Sequence, residues 1–489
     1  MSKANLLKSS FVYVIASIFV QAINVLLIPI YTRNFTSEEY GLYVIIASIQ
    51  NLLIIFAALG VFSGLSRFFY DYNNKNQIKN LVLSFSLVWS AVIGFLGIIT
   101  APAFASFAFG GYADGLHYTY FIIGNSILLC FISIYTAFYN MDNKPLKTGI
   151  INTGKLLLVL FLTIYLITIL EQGIIGALKA QFTAYALVAA LLLLMDRKNL
   201  KFILNKKQLK QIVSYGAGLV PGQAAVWVLT LIDRYFLQAM VNLSTVAVYS
   251  LGYNIGMLIK PIFLLPFSTA FTPFKYKVYK DEDGKGQLRE QFKYYSFIGW
   301  FLITGISLYA NIGIKVLATA EYGEAFKIVP LIVFSYFLWG LEQFYGLGLH
   351  IAKKMSVNSM IIMVGALFNI LLNIIFIPVM GMYGAAAATI ISYIIINILY
   401  YLAGKQYYDL GISLWEPYKY CPVFLFIYGA YFFLGIYSTA FYVEFAANMI
   451  LIALYLFLVV SMKIMPYCEF QKIFALLKKT VKKEKNLSI

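Results

Sequence analysis

Residues 9–31 read SSFVYVIASIFVQAINVLLIPIY, a run of about 23 residues without a charged side chain. A transmembrane helix needs about 20 mostly apolar residues, so this run is long enough to cross a bilayer. It exceeds the apolar core of a secretory signal, and no small-residue cleavage site follows it. The segment is therefore predicted to be a first membrane span that is not cleaved.

Similar runs recur along the whole chain, which is 61% hydrophobic and only 12% charged. Soluble domains have roughly 45–50% apolar and about 25% charged residues. Spans are predicted at 9–31, 40–66, 80–101, 117–139, 148–170, 174–195, 212–233, 246–270, 291–311, 328–350, 357–378, 383–404, 418–438 and 444–465. The predicted fold class is an all-α membrane protein with about 14 transmembrane helices and only short loops.

The formal charge of +17 would indicate nucleic-acid binding in a soluble protein. Here the basic residues instead collect in loops on one side of the predicted membrane. Of the 37 Lys and Arg residues, 30 fall on the side of the N-terminus, and Arg33, Arg234, Lys315 and Lys327 fall on the other. The positive-inside rule then predicts that the N-terminus and the C-terminus are both cytoplasmic.

Two short patterns return at almost the same interval. GIIGA at 173–177 reappears as GMYGA at 381–385, and YGLY at 40–43 aligns with VAVY at 246–249. Six spans separate the copies, and an even number gives both copies the same orientation. This indicates a parallel internal repeat about an axis along the membrane normal, an arrangement found in transporters that bind substrate between two halves.

The repeat and the charge runs predict a domain organisation. It comprises an N-terminal six-helix lobe at 1–195, a cytoplasmic basic linker at 196–211, a C-terminal six-helix lobe at 212–404, two extra transmembrane helices at 405–465 and a basic cytoplasmic tail at 466–489. The linker alternates basic residues with Leu and Ile, a pattern typical of a segment lying along the membrane interface.

Motifs for enzymatic chemistry are missing from the sequence. It contains no GxxxxGK[ST] loop for ATP, no HExxH or CxxC metal pattern and no GxSxG elbow. The two histidines, His117 and His350, lie far apart along the chain. We therefore expect a transporter and not an enzyme, with no catalytic residue, metal or organic cofactor.

Charged side chains inside a bilayer cost about 2.5–3.5 kcal/mol each on insertion scales, so each needs a physical reason. Lys155, Lys179 and Lys260 fall within predicted spans. An excess of positive charge in the membrane predicts an anionic ligand, such as a phosphate group.

Polar and acidic side chains also occur in or beside the spans. Predicted polar cavity-lining residues are Gln21, Asn24, Asn152, Tyr253, Asn369 and Asn373. The alternative for such residues is hydrogen bonding between neighbouring helices. Glu342 and Asp233 are candidates for coupling to H⁺ or Na⁺, although Asp233 adjoins Arg234 and the two form a structural pair in the alternative interpretation.

Two loops carry the pattern of a known family. PIYTR at 29–33 followed by SEEYGLY at 37–43, and IDR at 232–234 followed by VAVYS at 246–250, resemble the corresponding loops of Wzx-type oligosaccharide flippases. These flippases form the polysaccharide biosynthesis branch of the multidrug/oligosaccharidyl-lipid/polysaccharide exporter superfamily. The resemblance extends over the hydropathy profile of residues 1–465.

The resemblance implies two six-helix lobes and two extra helices around a cavity that opens alternately to each side of the cell membrane. It implies a polyprenyl-pyrophosphate-linked oligosaccharide as cargo, moved from the cytoplasmic to the outer leaflet during synthesis of lipopolysaccharide or capsule. By analogy, the residues that bind the anionic head group are Lys155, Lys179, Lys260, Arg33 and Arg234. A glycan polymerase and assembly proteins are the implied protein partners, and the lipid bilayer is the solvent.

Three other interpretations stay open at this point. A cation-coupled multidrug extruder would use the same scaffold, but its cationic substrates favour intramembrane carboxylates over lysines. A membrane-embedded glycan polymerase or acyltransferase would need a large outside loop or a His/Asp set, and the longest outside loops have about 15 residues, at 102–116 and 312–327. A non-transporting scaffold would leave the lysines within the spans unexplained.

Overall fold

The computed structural model describes residues 3–110 and 112–465, with side chains from residue 19 onward. Within these ranges the chain forms helices, turns and irregular segments, and no β-strand. The first half contains α1 Lys3–Asn34, α2 Ser37–Ala58, α3 Val61–Phe68, α4 Lys75–Phe109, α5 Gly115–Met141, α6 Pro145–Thr163, α7 Gly173–Asp196, α8 Lys206–Ala217, α9 Val220–Leu231 and α10 Asp233–Met240. The second half contains α11 Leu243–Gly256, α12 Leu265–Val278, α13 Gly284–Leu317, α14 Val329–Gly340, α15 Glu342–Tyr345, α16 Leu347–Ile351, α17 Met355–Met380, α18 Met382–Lys405, α19 Cys421–Phe433 and α20 Phe441–Ser461.

The lengths and hydropathies of these helices fit a multi-pass membrane protein. In the described part of the chain, 11 helices are long and apolar enough to span a membrane. A twelfth span results if Ala320–Lys327 and Val329–Tyr345, which meet at 43°, are taken together. The all-α membrane class is confirmed, but the count of about 14 is not. Two of the predicted spans, those of α1 and the 13-residue α19, account for the difference.

The chain folds as two compact units. Unit 1 comprises Met1–Leu251, Leu317–Tyr322 and Ser359–Ser392, and unit 2 comprises Gly252–Val316, Gly323–Asn358 and Tyr393–Ile489. The unit boundaries pass through α11, α17 and α18.

Unit 1 is held together by helix packing around α5, which contacts α2, α4 and α7, while α6 packs on α1 and α7. The predicted span 40–66 is broken between α2 and α3, because Leu59 and Gly60 both adopt positive φ, at 43° and 62°. A Cβ on Gly60 would lie 2.4 Å from the carbonyl oxygen of Gly216. The backbones of the α2–α3 break and of α8 therefore touch, which requires glycine on both sides.

Equivalent turns recur at the interval found in the sequence. Gly173 and Gly381 have φ of 57° and 55° at the starts of α7 and α18. Three residues later, a Cβ on Gly176 would lie 3.1 Å from the carbonyl oxygen of Leu166. A Cβ on Gly384 would lie 2.3 Å from that of Phe376. Both helices thus pack by a glycine against the preceding span, which supports the internal repeat.

The other repeated pattern begins two helices in the same way. Thr36 caps α2 through a capping box with Glu39, and the Asn242 side chain accepts a hydrogen bond of 2.8 Å from the Thr245 amide at the start of α11. Such caps satisfy backbone N–H groups that have no partner within the helix. The alignment of 40–43 with 246–249 therefore joins equivalent helix starts.

Unit 2 contains an aromatic core. It includes the fully buried rings of Trp300, Tyr295 and Phe337. The centre of the Phe337 ring lies 5.4 Å from that of Tyr295 and 5.8 Å from that of Trp300. The last helix is fixed to α13 by Glu444, which is 0% exposed. Its carboxylate lies 2.9 Å from the Lys315 ammonium, so a buried acid ties α20 to the rest of the unit.

Two spans contain irregular segments next to prolines and glycines. The helix at 206–231 is interrupted between α8 and α9 at Gly218 and Leu219. A π-turn at Lys260–Leu264 separates α11 from α12 and includes Pro261. Proline removes a backbone donor, and π-turns in helices are frequent at functional positions.

Candidate functional site

Lys155 lies within membrane helix α6 of unit 1 and is half-buried. Its Nζ is 5.7 Å from the centre of the Tyr185 ring on α7. An ammonium near the face of an aromatic ring is attracted by the ring quadrupole. Among the described residues, Lys155 has no carboxylate within ion-pair distance. Its positive charge is held in place but is not neutralised.

Lys260 has a similar environment in unit 2. It is half-buried in the first position of the π-turn, and its Nζ lies 5.2 Å from the centre of the Trp339 ring on α14. In the same unit, the hydroxyl groups of Tyr253 and Tyr336 are 3.1 Å apart. Within the described ranges, Lys260 likewise forms no ion pair with a carboxylate. Lys260 in unit 2 therefore lies against an aromatic ring in the same way as Lys155 in unit 1.

The other predicted head-group residues lie in different environments. Lys179 is exposed and donates a hydrogen bond of 3.1 Å to the side chain of Gln172. Arg33 is exposed in the last turn of α1. Neither resembles Lys155 or Lys260 in burial.

Arg234 forms a buried ion pair with its neighbour Asp233. Its Nη1 lies 3.0 Å from Asp233 Oδ1 and donates to the Thr230 carbonyl at 2.8 Å. Tyr249 donates its hydroxyl to the other carboxylate oxygen. Asp233 and Arg234 are 2% and 3% exposed. Because this charge is already compensated, the geometry favours the structural interpretation of the pair.

The predicted polar lining residues are placed at three levels of burial. Gln21 and Asn152 are half-buried and Asn24 is exposed. Asn369 and Asn373 are buried, and the Asn373 amide donates to Asn369 Oδ1 at 3.0 Å. Tyr253, in unit 2, is 4% exposed and hydrogen-bonded as described above.

Glu342, the predicted coupling acid, begins α15 in unit 2. Its Oε1 lies 3.5 Å from Nε2 of His350. The other ring nitrogen of His350, Nδ1, lies 3.2 Å from Nζ of Lys275. Sequence reasoning identified Glu342 but neither of these two partners, because Lys275 lies on the distant helix α12 and the break between α15 and α16, which places His350, has no clear sequence signal.

The family of the chain follows from its sequence as a whole. Residues 6–278, more than half of the chain, match the family of polysaccharide biosynthesis proteins. The chain belongs to this family.

The chain is also similar to a known membrane protein and to solved membrane-transporter structures. A membrane protein of Methanocaldococcus jannaschii is 23% identical over 401 residues, which cover 75% of this chain and 77% of the relative. The lipid II flippase MurJ, in an inward closed conformation, has a TM-score of 0.71 at 14% identity and covers 91% of this chain and 98% of its own. An inward-facing multidrug resistance MATE transporter of the MOP superfamily has a TM-score of 0.65 at 16% identity, covering 79% and 94%. At these identities the solved structures establish a shared fold.

Sequence reasoning missed a polar network inside unit 1 of this family member. Gln181 donates to the Tyr43 hydroxyl at 2.8 Å, and the Tyr43 hydroxyl donates to that of Tyr31 at 3.1 Å. Asn125 and Gln50 extend the network from α5 and α2. The sequence does contain these amides and hydroxyls in otherwise apolar helices. Their pairing could not be predicted, because it depends on contacts between helices that are distant in sequence.

A buried ion pair in unit 1 was also missed. Lys79 Nζ lies 2.5 Å from Asp196 Oδ2, with both side chains less than 10% exposed. Tyr135 donates its hydroxyl to the same carboxylate at 3.2 Å. The pair and Tyr135 link the start of α4 to the ends of α5 and α7, so the pair has a structural role.

Proposed function

We propose that the protein is a flippase for a polyprenyl-pyrophosphate-linked oligosaccharide, moving it from the cytoplasmic to the outer leaflet for synthesis of a cell-surface polysaccharide. The observation that carries this proposal is the environment of Lys155 and Lys260. Each is half-buried in a membrane helix, lies over an aromatic ring and has no carboxylate partner among the described residues. A pyrophosphate would supply the missing negative charge, and family membership supports a role in polysaccharide synthesis.

A protein path is needed because the glycan cannot cross hydrocarbon unaided. Each unpaired hydroxyl costs on the order of 2–7 kcal/mol to remove from water into an apolar medium. A path through the protein that offers hydrogen-bonding side chains lowers this cost, while the polyprenyl tail stays in the bilayer. Alternating access of the path to the two sides completes the proposed cycle.

The membrane potential supplies energy for the proposed direction of transport. Moving two negative charges outward, away from the negative interior, releases roughly 4.6 kcal/mol for each 100 mV. Export of a pyrophosphate-linked glycan is thus favourable without ATP hydrolysis by this chain. A glycan polymerase and its assembly proteins would consume the product on the outer side.

The test is flipping of a fluorescent polyprenyl-pyrophosphate-linked oligosaccharide by the purified protein in liposomes. Lys155→Ala and Lys260→Ala should each lower the rate at least about tenfold, because a charge-assisted hydrogen bond to the ligand contributes about 1.5–3 kcal/mol. Lys155→Arg and Lys260→Arg should retain more activity than the alanine variants, since the charge is kept.

Lys354→Ala is the matched control, because Lys354 is an exposed lysine in the turn before α17. It should flip the probe at the wild-type rate. Full activity in both Lys155→Ala and Lys260→Ala would refute the head-group assignment. No flipping by the wild-type protein would refute the flippase proposal as a whole.

The multidrug-extruder alternative is not favoured by the buried acids among the described residues. Asp196, Asp233 and Glu444 are each engaged by a basic partner in an ion pair. A cationic drug would need a carboxylate that is available to it.

Drug-resistance profiles of a deletion strain distinguish the two functions, since a glycan flippase leaves them unchanged. Analysis of the lipid-linked products detects any polymerase or acyltransferase activity.

A further inference from the structure

Three ionisable side chains form a linear cluster within unit 2. Lys275 lies on α12, His350 on α16 and Glu342 at the start of α15. The His350 ring stands between the other two, with Nδ1 3.2 Å from the Lys275 ammonium and Nε2 3.5 Å from the Glu342 carboxylate. Lys275 is 3% exposed, and the side chains of His350 and Glu342 are 13% and 25% exposed.

Aromatic packing brings the cluster together. The rings of Phe271 on α12 and Phe344 on α15 are 4.6 Å apart, and Phe344 also contacts Phe292 on α13 at 5.1 Å. Lys275 follows Phe271 by one helical turn, so the same contact directs its ammonium towards α16. The aromatic packing therefore fixes the distance between α12 and α16, on which the Lys275–His350 contact depends.

The arrangement determines which nitrogen of His350 carries the hydrogen. A charged lysine can only donate, so Nδ1 must accept its hydrogen bond. Nε2 then carries the ring hydrogen and faces the Glu342 carboxylate. A further proton can bind only at Nδ1, the atom that holds Lys275. Proton binding and the contact between α12 and α16 therefore exclude each other.

Other titratable groups adjoin the cluster from two elements. Tyr400 on α18 interacts electrostatically with Glu342, and its hydroxyl donates to Asn358 at 3.0 Å. Tyr276, next in sequence to Lys275, places its ring 5.4 Å from the Lys275 ammonium. Histidine is the side-chain type that most commonly accepts a proton near neutral pH, so His350 is the candidate proton acceptor of the cluster.

The cluster lies at a double break in a membrane helix. α14, α15 and α16 are separated at Leu341 and Gly346, so Glu342 and His350 lie on two short segments. The ring of Tyr400 occupies the space beside Gly346, where an added Cβ would lie 3.2 Å from it. Segments interrupted in this way can change their angle at small cost when one contact is lost.

We propose that Lys275, His350 and Glu342 form a proton-binding site that couples flipping to H⁺, with His350 as the proton acceptor. Binding of H⁺ at Nδ1 releases Lys275 and frees α12 from α16, on the side of the membrane that the charge pattern assigns to the cytoplasm. Coupling to transport rests on the proposed flippase function, whereas proton binding by His350 does not.

Proton binding is tested by NMR of the full chain labelled at histidine. The chain has only two histidines, and His117 is exposed, so His117→Gln leaves a single imidazole signal. At high pH the signal should report hydrogen on Nε2, and it should titrate between about pH 5 and about pH 9. Glu342→Gln should move the midpoint at least about one pH unit lower, and Lys275→Met at least about one unit higher.

A signal that stays constant over this range, hydrogen on Nδ1 at high pH, or unmoved midpoints in both variants would overturn the proton site. The titration of the His117→Gln protein needs no change within the cluster. Misfolding of either cluster variant therefore leaves this first measurement decisive.

Coupling is tested with the liposome assay for the fluorescent lipid-linked oligosaccharide. The wild-type rate should change at least about fivefold between about pH 5.5 and about pH 8, because proton binding at the proposed site would break the contact between α12 and α16. His350→Gln, which keeps a donor and an acceptor, should flip at a rate that does not depend on pH. A pH dependence that survives in His350→Gln, or a wild-type rate without one, would overturn coupling. If the wild-type protein flips nothing while His350 titrates as expected, the flippase proposal fails and the proton site stands.

Discussion

At the scale of single residues, two arginines that the family pattern makes equivalent have different physical roles. Arg33 is exposed, whereas Arg234 is 3% exposed and bonded to Asp233 and to the Thr230 carbonyl. A buried ion pair gains little over apolar packing, but removing one partner leaves an uncompensated charge. The shared positive charge of Arg33 and Arg234 at matching positions of the pattern therefore does not imply a common role in binding.

This contrast predicts the stabilities of four variants. Arg234→Ala should lower the free energy of unfolding by about 3–5 kcal/mol, because Asp233 would stay buried without its cation. Arg33→Ala should change it by less than about 0.5 kcal/mol, as expected for an exposed position. Thermal unfolding in detergent measures both, with Asp233→Asn and the double variant Asp233→Asn/Arg234→Gln as further arms. The assignment is wrong if Arg234→Ala is as stable as Arg33→Ala, or if the double variant is no more stable than Arg234→Ala.

At the scale of elements, the fold depends on glycines where one span turns back on another. Gly384 follows the positive-φ residue Gly381 and lets the start of α18 touch the backbone of α17 at Phe376. Gly176 does the same at the start of α7. Small residues that permit close backbone approach are a main source of helix association in membranes.

Replacing glycine by alanine should distinguish a glycine that touches a neighbouring backbone from one whose surroundings are open. Gly384→Ala should lower the free energy of unfolding by about 1–3 kcal/mol, since its Cβ would lie 2.3 Å from a backbone oxygen. Gly305→Ala in α13 is the control, because nothing lies within 4 Å of a Cβ there. Its effect should be neutral or stabilising by up to about 1 kcal/mol. Equal effects in unfolding experiments would contradict the close approach of α17 and α18.

Hydropathy located the helices well, and it failed where backbone geometry interrupts them. The start of α2 at Ser37 and that of α7 at Gly173 lie within a few residues of prediction. The break at Leu59 and Gly60 was not predicted, because leucine with positive φ has no sequence signal. The interruptions near Gly218 and Lys260 coincide with glycine and proline, which both act through the local backbone.

The candidate site was predictable only where partners are adjacent in sequence. Asp233 and Arg234 are adjacent, and their pairing was anticipated as one of two interpretations. Lys275 and His350 lie 75 residues apart, and Lys79 and Asp196 lie still farther apart. Such pairs depend on which helices become neighbours, which hydrophobic periodicity does not specify.

At the scale of the whole molecule, the asymmetry of basic residues predicts how the chain lies in the membrane. The segment around Lys206 lies among the basic stretches, whereas Asp114 lies in a loop assigned to the opposite side. Both side chains are exposed and accept modification without disturbing a core. Orientation is therefore open to direct chemical measurement.

Single cysteines at these two positions should react from opposite sides. With Cys130, Cys421 and Cys468 replaced by serine, Asp114→Cys should be labelled by a membrane-impermeant maleimide on intact cells. Lys206→Cys should be labelled only after the cells are opened, as the positive-inside rule requires. The opposite pattern would reverse the proposed direction of transport, and equal labelling would contradict the topology.

Because Trp339 lies beside the Lys260 ammonium, its fluorescence can report on the proposed binding position. An indole 5.2 Å from a cation has an excited state that responds to the local field. With Trp89, Trp227, Trp300 and Trp415 replaced by phenylalanine, emission would come from this one ring. Arrival of a pyrophosphate at Lys260 would then change its colour or brightness, so the protein carries its own fluorescent sensor of occupancy.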